Sequence, residues 1–218
     1  MCIRDRNEMK NKSVAIVGLG YVGLPLALAF GRVMSTIGFE ISLEKIHSYR
    51  DGYDPTGEMT DDLFAQADQL VFTTNEADLK KADFVIVAVP TPADSVHQPD
   101  LSHVIRATKT IGRNLKRGTT VIFESTFYPG VTENICSPIL EQESGLKCSL
   151  NGYMIGYSPE RVNPGDKVHT LEKIVKVVAG KDAYTLEQVA KLYEQVIEAG
   201  VYRCLLYTSP SPRDLSTS

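Results

Sequence analysis

The feature that most constrains the fold of this chain is a glycine-rich segment that directly follows a short apolar run. The run Ser13–Val17 predicts a β-strand, and the residues after it (GLGYVG) match the pattern G-x-G-x-x-G where a helix-like stretch begins. In this pattern Gly18 permits a tight turn, Gly20 lets the backbone approach a diphosphate, and Gly23 lets the helix pack closely on the strand. The segment therefore predicts a dinucleotide-binding loop.

Two further features indicate how such a loop would hold its ligand. The backbone N–H groups near Tyr21 and Val22 lie at the start of the predicted helix, where they face the phosphates. Glu40 ends the second predicted strand about 20 residues beyond the loop, where a carboxylate binds the ribose hydroxyls. A carboxylate disfavours a 2′-phosphate, so we expect NAD, although the cation of Lys45 would tolerate an extra phosphate. The alternative is a helix-packing glycine motif with a surface glutamate.

The rest of the chain alternates short apolar runs with amphipathic stretches, which predicts βαβ units and a parallel sheet. The other predicted strands are Thr36–Ile41, Leu70–Thr74, Asp83–Val89, Thr119–Phe123, Tyr153–Tyr157 and Ile174–Val178. The predicted helices are Val22–Val33, Leu43–Arg50, Asp61–Ala67, Leu101–Leu115, Val131–Glu143 and Asp182–Glu198. Since crossovers are right-handed, we expect an α/β fold: a Rossmann-type, doubly wound, mostly parallel sheet with helices on both faces.

The two ends of the chain differ in character from the stretch between them. Residues 11–203 are expected to form one NAD-binding domain, whereas residues 1–10 and 204–218 are expected to be non-native or disordered. The tail (CLLYTSPSPRDLSTS) is rich in Ser, Pro and Thr without an apolar period. Both ends resemble translated sequencing-adapter read-through, and a genuine flexible tail is the alternative.

Composition and charge exclude several classes of function. The formal net charge is −4, without the clustered basic residues typical of nucleic-acid binding, and no apolar run is long enough to predict a membrane span. The four cysteines form no CxxC pair and have no histidine cluster beside them, so neither a zinc site nor a disulfide framework is expected. They are Cys2, Cys136, Cys148 and Cys204. A cytoplasmic protein without a bound metal is the expectation.

Polar motifs follow the next two predicted strands in the middle of the chain, where the carboxyl ends of parallel strands face the ligand crevice. In the first, VPTP, the hydroxyl of Thr91 is expected to contact the cofactor; a plain proline turn is the alternative. In the second, ESTFYPG, the hydroxyl of Thr126 is expected near the nicotinamide and a catalytic water. The alternative there is structural, with Ser125 and Thr126 capping the following helix.

A third polar motif, YSPERVNPGD, follows the predicted strand Tyr153–Tyr157. In it Glu160 is expected to act as a general acid or base, or to orient a water molecule. Arg161 is expected to pair with a diphosphate or with Asp166. The alternative is a surface turn with a local Arg–Asp pair.

Together these motifs resemble the UDP-glucose/GDP-mannose dehydrogenase family over residues 12–203. The segments concerned are VGLGYVGLPLA, VAVPTP, QPDL, ESTFYPGVTE and GYSPERVNPGDK, and the form SPERVNPGD is similar to the branch that acts on UDP-N-acetylglucosamine and UDP-N-acetylgalactosamine. The resemblance implies NAD-dependent oxidation of sugar-nucleotide C6 through an aldehyde to a carboxylate. It also implies that Glu160 handles water and protons with Thr126, and that Arg161 and Val162 contact the UDP-N-acetylhexosamine substrate.

The chain also departs from the family pattern. Glu40 stands where the family usually has Asp, and Pro164 stands where relatives that act on UDP-glucose have a second Glu, which favours the acetamido-sugar branch. The family's central-helix Lys and Asn, its GGxCxxxDP segment with the nucleophilic cysteine, and its second domain are absent. We therefore expect a fragment that binds NAD without turnover, taken from a homo-oligomeric enzyme. The alternatives are a non-catalytic NAD-binding module and a β-hydroxyacid dehydrogenase-like domain, against which SPERVNPGD argues.

Overall fold

One eight-stranded sheet forms the centre of the molecule. The computed structural model describes residue 9 and residues 11–92, 99–159 and 173–206. The strands are β1 (Ser13–Val17), β2 (Ser35–Phe39), β3 (Leu70–Thr73), β4 (Phe84–Val87), β5 (Thr120–Phe123), β6 (Met154–Tyr157), β7 (Lys176–Gly180) and β8 (Val201–Leu205). The α-helices are α1 (Gly23–Gly31), α2 (Leu43–Arg50), α3 (Asp61–Gln66), α4 (Ser102–Arg113), α5 (Ser137–Ser144) and α6 (Ala183–Tyr193).

The order of the strands places a crevice near the middle of the sheet. The order is β3-β2-β1-β4-β5-β6-β7-β8, and each neighbouring pair is parallel except β6 with β7. The chain runs outward from β1 to β3, then crosses to β4 and runs outward in the other direction. A crevice opens at such a reversal, outside the carboxyl ends of the strands. The predicted Rossmann-type, mostly parallel sheet is therefore confirmed.

Alternate residues of β1 belong to two separate cores, one on each face of the sheet. Val14 and Ile16 pack in the core that α1 and α6 cover. Ala15 and Val17 pack in the core that α4 and α5 cover. Burial on both faces explains why the strand is an unbroken apolar run. Helices cover both faces, as predicted, and within the described ranges no helix has the length and apolar character to cross a membrane.

A carboxylate joins the beginnings of β1 and β4, at the edge of the sheet opposite the crevice. Asp83 accepts a hydrogen bond from the Ser13 N–H at 3.0 Å. The ammonium groups of Lys116 and Lys12 lie 3.2 and 3.8 Å from its carboxylate. Burial opposes ionisation of Asp83, but the hydrogen bonds and the two cations outweigh it and lower the pKa of the carboxyl group.

Most predicted elements are present with ends that differ by a few residues, and the largest internal difference lies after β5. In place of a single helix Val131–Glu143, a π-helical turn over Thr132–Cys136 leads into α5. Pro138 lies in the first turn of α5 and has no N–H to donate to the preceding turn, so the regular helical ladder is interrupted there. A short 3₁₀ helix, Glu76–Lys81, was not predicted.

The sheet also differs from the prediction at its far edge. The predicted strand Ile174–Val178 is observed two residues later as β7, which pairs antiparallel with β6. Beyond it lies β8, which was not predicted and which pairs parallel with β7. Its residues are half-buried or exposed, because an edge strand has one neighbour. Such a strand lacks the unbroken apolar run that marks the central strands.

Residues of both predicted terminal segments belong to the folded domain. Met9, within the segment 1–10, is buried in the core beside α1, and its carbonyl accepts a hydrogen bond from the Lys12 N–H. At the other end, β8 continues through Cys204 and Leu205, the first residues of the predicted tail. Met9 and the first residues after 203 therefore pack with the domain, and the predicted domain limits stay a prediction.

Candidate functional site

A cavity of about 720 Å³ opens where β1, β2, β4 and β5 end. Its volume falls in the range of about 300–1,000 Å³ that is usual for cofactor sites. Its lining includes the predicted residues Gly18, Gly20, Tyr21, Val22, Glu40, Lys45, Thr91 and Thr126. The crossover between β1 and β4 thus brings together motifs that are far apart in the sequence.

The three glycines of the loop after β1 occupy positions with different steric demands. Gly18 has φ +90°, a conformation that side chains other than glycine rarely adopt, and its N–H donates to the Phe39 carbonyl. A Cβ on Gly23 would lie 1.8 Å from the Gly18 carbonyl oxygen, so the start of α1 packs directly on the turn. A Cβ on Gly20 would meet nothing within 4 Å, because this residue faces the cavity. The turn and the close packing therefore have the predicted geometry, and the contact of Gly20 with a diphosphate stays a prediction.

Glu40 lies at the mouth of the glycine loop, where the sequence predicted it. Its Oε2 accepts a hydrogen bond from the Leu19 N–H at 3.1 Å. Its Oε1 accepts from the N–H groups of Ile41 and Ser42 at 2.8 and 3.2 Å. The ammonium of Lys45 lies 3.8 Å from Oε2. The carboxylate is therefore fixed beside the loop on the cavity wall, with the cation next to the oxygen that contacts Leu19.

The peptide groups of Leu19 are held on both sides. Its N–H donates to Glu40, and its carbonyl accepts a hydrogen bond from the hydroxyl of Tyr49 at 3.0 Å. Burial raises the pKa of Tyr49 to about 12, with smaller contributions from the nearby carboxylates of Asp54 and Glu40. The hydroxyl therefore stays protonated at neutral pH and keeps donating. The glycine turn is therefore held by hydrogen bonds to both peptide groups of Leu19.

Two side-chain hydrogen bonds tie the loop after β4 to the loop after β5. The Thr91 hydroxyl donates to the Thr126 carbonyl at 2.6 Å, and the Ser125 hydroxyl donates to the Val89 carbonyl at 2.6 Å. The side chain of Thr126 is exposed towards the cavity. Neither the π-helical turn nor α5 has a side-chain cap, so the capping alternative for Ser125 and Thr126 is wrong. The nicotinamide contacts of Thr91 and Thr126 stay predictions.

One face of α4 forms a further wall of the cavity, which the sequence analysis missed. The residues concerned are His103, Arg106, Ala107 and Thr110. Their spacing of three and four residues places them on one side of a helix. A guanidinium nitrogen of Arg106 lies 3.3 Å from Nδ1 of His103. The helical period of this segment was visible in the sequence, but nothing indicated which of its faces lines the site.

A buried ion pair lies at the end of β5, and it too was missed. Glu124 lines the cavity, and its carboxylate lies 3.2 Å from the Lys176 ammonium at the start of β7. The Tyr193 hydroxyl of α6 contacts the same carboxylate. Burial raises the pKa of the Tyr157 hydroxyl to about 12, and the Glu124 charge adds to this shift. The sequence shows two charged residues, each beside an apolar run, but it does not show that they pair.

Three predicted site residues and the cysteines are the last to be compared with the structure. Glu160, Arg161 and Val162 lie outside the described residues. Within the described part of the chain no group of three His, Cys, Asp or Glu side chains is placed to hold a metal ion. Burial raises the pKa of Cys136 to about 12, so this thiol is a core residue without nucleophilic character.

The sequence of the domain matches a known family over most of its length. Residues 12–197 match the profile of the UDP-glucose/GDP-mannose dehydrogenase family, NAD binding domain. The chain belongs to this family. Both the predicted resemblance and the predicted cofactor, NAD, are thereby confirmed for this dehydrogenase-family domain.

Individual members of the family are similar to this domain at two levels of identity. Protein CapL of Staphylococcus aureus is 48% identical over 193 residues, which are 88% of this chain and 45% of that protein. UDP-N-acetyl-D-glucosamine 6-dehydrogenase of Pseudomonas aeruginosa is 47% identical over 195 residues, 89% of this chain and 46% of that protein. A UDP-N-acetyl-D-mannosamine dehydrogenase of Pyrococcus horikoshii is 31% identical, with 87% and 46% covered. The chain spans about half the length of the curated relatives it matches.

Solved structures of the family share the fold. The NDP-N-acetyl-D-galactosaminuronic acid dehydrogenase of Methanosarcina mazei Go1 superposes with a TM-score of 0.84 at 28% identity, over 94% of this chain and 46% of that one. A ternary complex of GDP-mannose dehydrogenase from Pseudomonas aeruginosa gives 0.82 at 25% identity, over 90% and 47%. The dehydrogenase-family domain described here therefore corresponds in size to half of these proteins.

Proposed function

We propose that this domain is the NAD-binding half of a UDP-N-acetylhexosamine 6-dehydrogenase. Such an enzyme oxidises C6 of the sugar nucleotide twice, from an alcohol through an aldehyde to a carboxylate. The observation that carries the proposal is the carboxylate of Glu40, fixed by three backbone N–H groups beside a glycine turn on the wall of the cavity. This is the arrangement by which a Rossmann domain selects the unphosphorylated ribose of NAD.

The choice of an acetamido sugar rests on how the sequence identity to this chain differs between two groups of relatives. Two proteins called UDP-N-acetyl-D-glucosamine 6-dehydrogenase, from Pseudomonas aeruginosa and Salmonella typhi, are 47% and 44% identical to this chain. Several UDP-N-acetyl-D-mannosamine dehydrogenases are 30–32% identical. We therefore propose a UDP-N-acetylhexosamine of the gluco or galacto series as substrate, with uronic acids for surface polysaccharide as the product class.

The cavity supports a specific assignment of roles along the cofactor. The N–H groups of Tyr21 and Val22, where the glycine loop leads into α1, would bind the diphosphate. The carboxylate of Glu40 would accept hydrogen bonds from the adenosine ribose, and Lys45, 3.8 Å from it, would lie beside the same sugar. At the other end of the cavity the hydroxyls of Thr91 and Thr126 would lie along the nicotinamide riboside.

The reaction places different demands on the protein and on the cofactor. When bound, NAD supplies the hydride chemistry. The Thr126 hydroxyl would orient the catalytic water, and Glu160 would exchange protons with the C6 hydroxyl group and with water. Arg161 and Val162 would contact the substrate. We propose further that the full-length protein is a cytoplasmic homo-oligomer that uses neither nucleic acid nor a membrane as a partner.

The first test measures binding of dinucleotides to the chain itself. Isothermal titration with NAD, NADP and ADP-ribose is expected to give tighter binding of NAD than of NADP, because the Glu40 carboxylate repels a 2′-phosphate. ADP-ribose, which keeps the diphosphate and the adenosine ribose, is the matched control and is also expected to bind. Tighter binding of NADP than of NAD would contradict the assignment of Glu40.

The second test separates the enzyme from its two rivals. The full-length protein is incubated with NAD and, in parallel, with UDP-N-acetylglucosamine, UDP-N-acetylgalactosamine, UDP-N-acetylmannosamine, UDP-glucose or a set of β-hydroxyacids. Formation of two equivalents of NADH per acetamido-sugar nucleotide supports the proposal. NADH formation with a β-hydroxyacid would support that rival instead, and a protein that binds NAD without turning over any of these would be a non-catalytic module.

A further inference from the structure

Two side-chain hydroxyls connect the loop after β4 with the loop after β5 on the wall of the cavity. The Thr91 hydroxyl donates to the Thr126 carbonyl, and the Ser125 hydroxyl donates to the Val89 carbonyl, both at 2.6 Å. Each loop therefore supplies one side-chain donor and one backbone acceptor. We call these four groups the loop clamp. The proposed function gives Ser125 no role and treats Thr91 as a contact of the cofactor.

The loop clamp begins just beyond the backbone ladder between the two strands. β4 and β5 pair in parallel up to Val87 and Phe123, and the Glu124 N–H donates to the Val87 carbonyl at 2.9 Å. In a regular parallel ladder the next acceptor along the β4 side is the carbonyl two residues later, which is that of Val89. There the Ser125 hydroxyl takes the place of a backbone N–H. The connection between the two segments thus continues past the strands through side chains.

Burial and hydrogen-bonding capacity favour a positioning role for the two hydroxyls. A hydroxyl has one hydrogen to donate, and in both Thr91 and Ser125 a backbone carbonyl accepts it. Ser125 is also only 6% exposed. Thr126, by contrast, has its carbonyl held by the clamp while its side chain is exposed on the cavity wall. The clamp therefore fixes the backbone that presents Thr126.

The loop clamp lies at the nicotinamide end of the proposed NAD site. In the sheet, β1 lies between β2 and β4, and β5 is the next strand beyond β4. With the adenosine ribose at Glu40 after β2 and the diphosphate at the glycine loop after β1, the other half of the dinucleotide reaches the loops after β4 and β5. All four clamp residues line the cavity there, namely Val89, Thr91, Ser125 and Thr126.

We propose that Thr91 and Ser125 are positioning residues that hold the two loops at the separation which the nicotinamide riboside requires. The inference rests on the proposed NAD site and deepens it by naming what shapes its nicotinamide end. Loops joined at two points keep one separation before the cofactor arrives, which lowers the cost of ordering them on binding. The adenosine and the diphosphate, bound after β2 and β1, do not depend on the clamp.

Removal of the two hydroxyls, singly and together, provides the test. The chain and its Thr91→Val, Ser125→Ala and doubly substituted variants are titrated calorimetrically with NAD and with ADP, which keeps the adenosine and the diphosphate but lacks the nicotinamide riboside. Each single substitution is expected to weaken NAD binding about threefold, because the remaining bond still joins the loops. The double substitution is expected to weaken it about thirtyfold, the value of two hydrogen bonds, while ADP binding changes by less than about twofold.

Two further variants serve as controls. Thr91→Ser keeps the hydroxyl and is expected to bind NAD like the unsubstituted chain. Ser144→Ala removes a hydroxyl that donates to the Leu140 carbonyl at the same distance of 2.6 Å, but within α5, and it is expected to leave both affinities unchanged. If Thr91→Ser weakened NAD binding as much as Thr91→Val, the hydroxyl would not be the cause and the inference would be overturned.

The ratio of NAD affinity to ADP affinity distinguishes positioning of the nicotinamide riboside from general damage. An equal loss of both affinities, or a double variant that binds NAD no more weakly than Thr91→Val alone, would overturn the inference. Circular dichroism identifies any variant that does not fold; if Ser125→Ala does not, the comparison of Thr91→Val with Thr91→Ser decides. If the unsubstituted chain binds NAD and ADP but the ratios do not move, this inference alone fails; if it binds neither, the proposed NAD site fails with it.

Discussion

Replacing Glu40 with Gln is the change that tests most directly how the glycine loop is held. The carboxylate has two acceptor oxygens, one for the Leu19 N–H and one for the N–H groups of Ile41 and Ser42. A glutamine amide has one acceptor oxygen, so its NH₂ group must face one of these donors. The side chain is only 11% exposed, so water cannot readily replace the lost contact.

The expected loss follows from the value of hydrogen bonds to a charged acceptor. Losing one such bond and leaving its N–H unpaired costs about 3 kcal/mol. For a domain of this size that corresponds to a decrease in Tm of roughly 6–12 °C. The affinity for NAD is expected to fall about tenfold or more, because the ribose loses a charged acceptor. Thermal melting by circular dichroism and isothermal titration measure the two effects.

Glu44→Gln is the matched control for this experiment. Glu44 lies four residues further along, in the first turn of α2, and its side chain is exposed. Its substitution is expected to change stability by less than about 0.5 kcal/mol. If Glu40→Gln melted like the control, or bound NAD as tightly as the unsubstituted chain, the carboxylate would not be what fixes the loop.

Three further outcomes are expected. Gly23→Ala places a Cβ 1.8 Å from the Gly18 carbonyl oxygen and should abolish cooperative melting, whereas Gly20→Ala, with open space around its Cβ, should melt normally but bind NAD more weakly. The pKa of the Cys136 thiol is raised to about 12, so this thiol should resist alkylation at pH 8 until the chain is denatured, unlike the less buried Cys148. Peptide mass spectrometry measures the labelling of each cysteine. Rapid labelling of Cys136 in the folded chain would contradict its burial. Folding lowers the pKa of Asp83, so its contribution to stability is present above the ordinary aspartate pKa of 3.8 and is lost as pH falls below that value. Asp83→Asn should therefore reduce the pH dependence of Tm in that acid range. An unchanged profile would contradict the ion pairs at Asp83.

The parts of the site that could be predicted from the sequence are those fixed by local geometry. The glycine spacing determines a turn whatever the rest of the chain does, because Gly18 needs a positive φ and Gly23 needs the absence of a Cβ. Glu40 was found because its strand lies next to β1, at a sequence distance set by one βα unit. The unbroken apolar runs likewise gave the central strands, since burial on both faces leaves a composition that is easy to recognise.

The parts that could not be predicted depend on how distant segments meet. Glu124 and Lys176 are separated by 52 residues, and their contact requires β7 to run opposite to β6. No local sequence pattern indicates the direction of a strand, because an apolar strand has the same composition in either orientation. The edge strand β8 was missed because its residues are mostly half-buried or exposed, and the cavity-lining face of α4 because its buried face dominates the helical pattern.

The antiparallel pairing of β6 with β7 affects which residues lie at the edge of the sheet that carries the cavity. In a purely parallel sheet, the residues beside a ligand come from the positions just after each strand, where loops begin. Here β7 and β8 are parallel to each other and run opposite to the other six strands, so their first residues lie at the edge of the sheet where the other strands end. Near a site that is otherwise built from loop residues, this arrangement places side chains whose backbone is held within a strand.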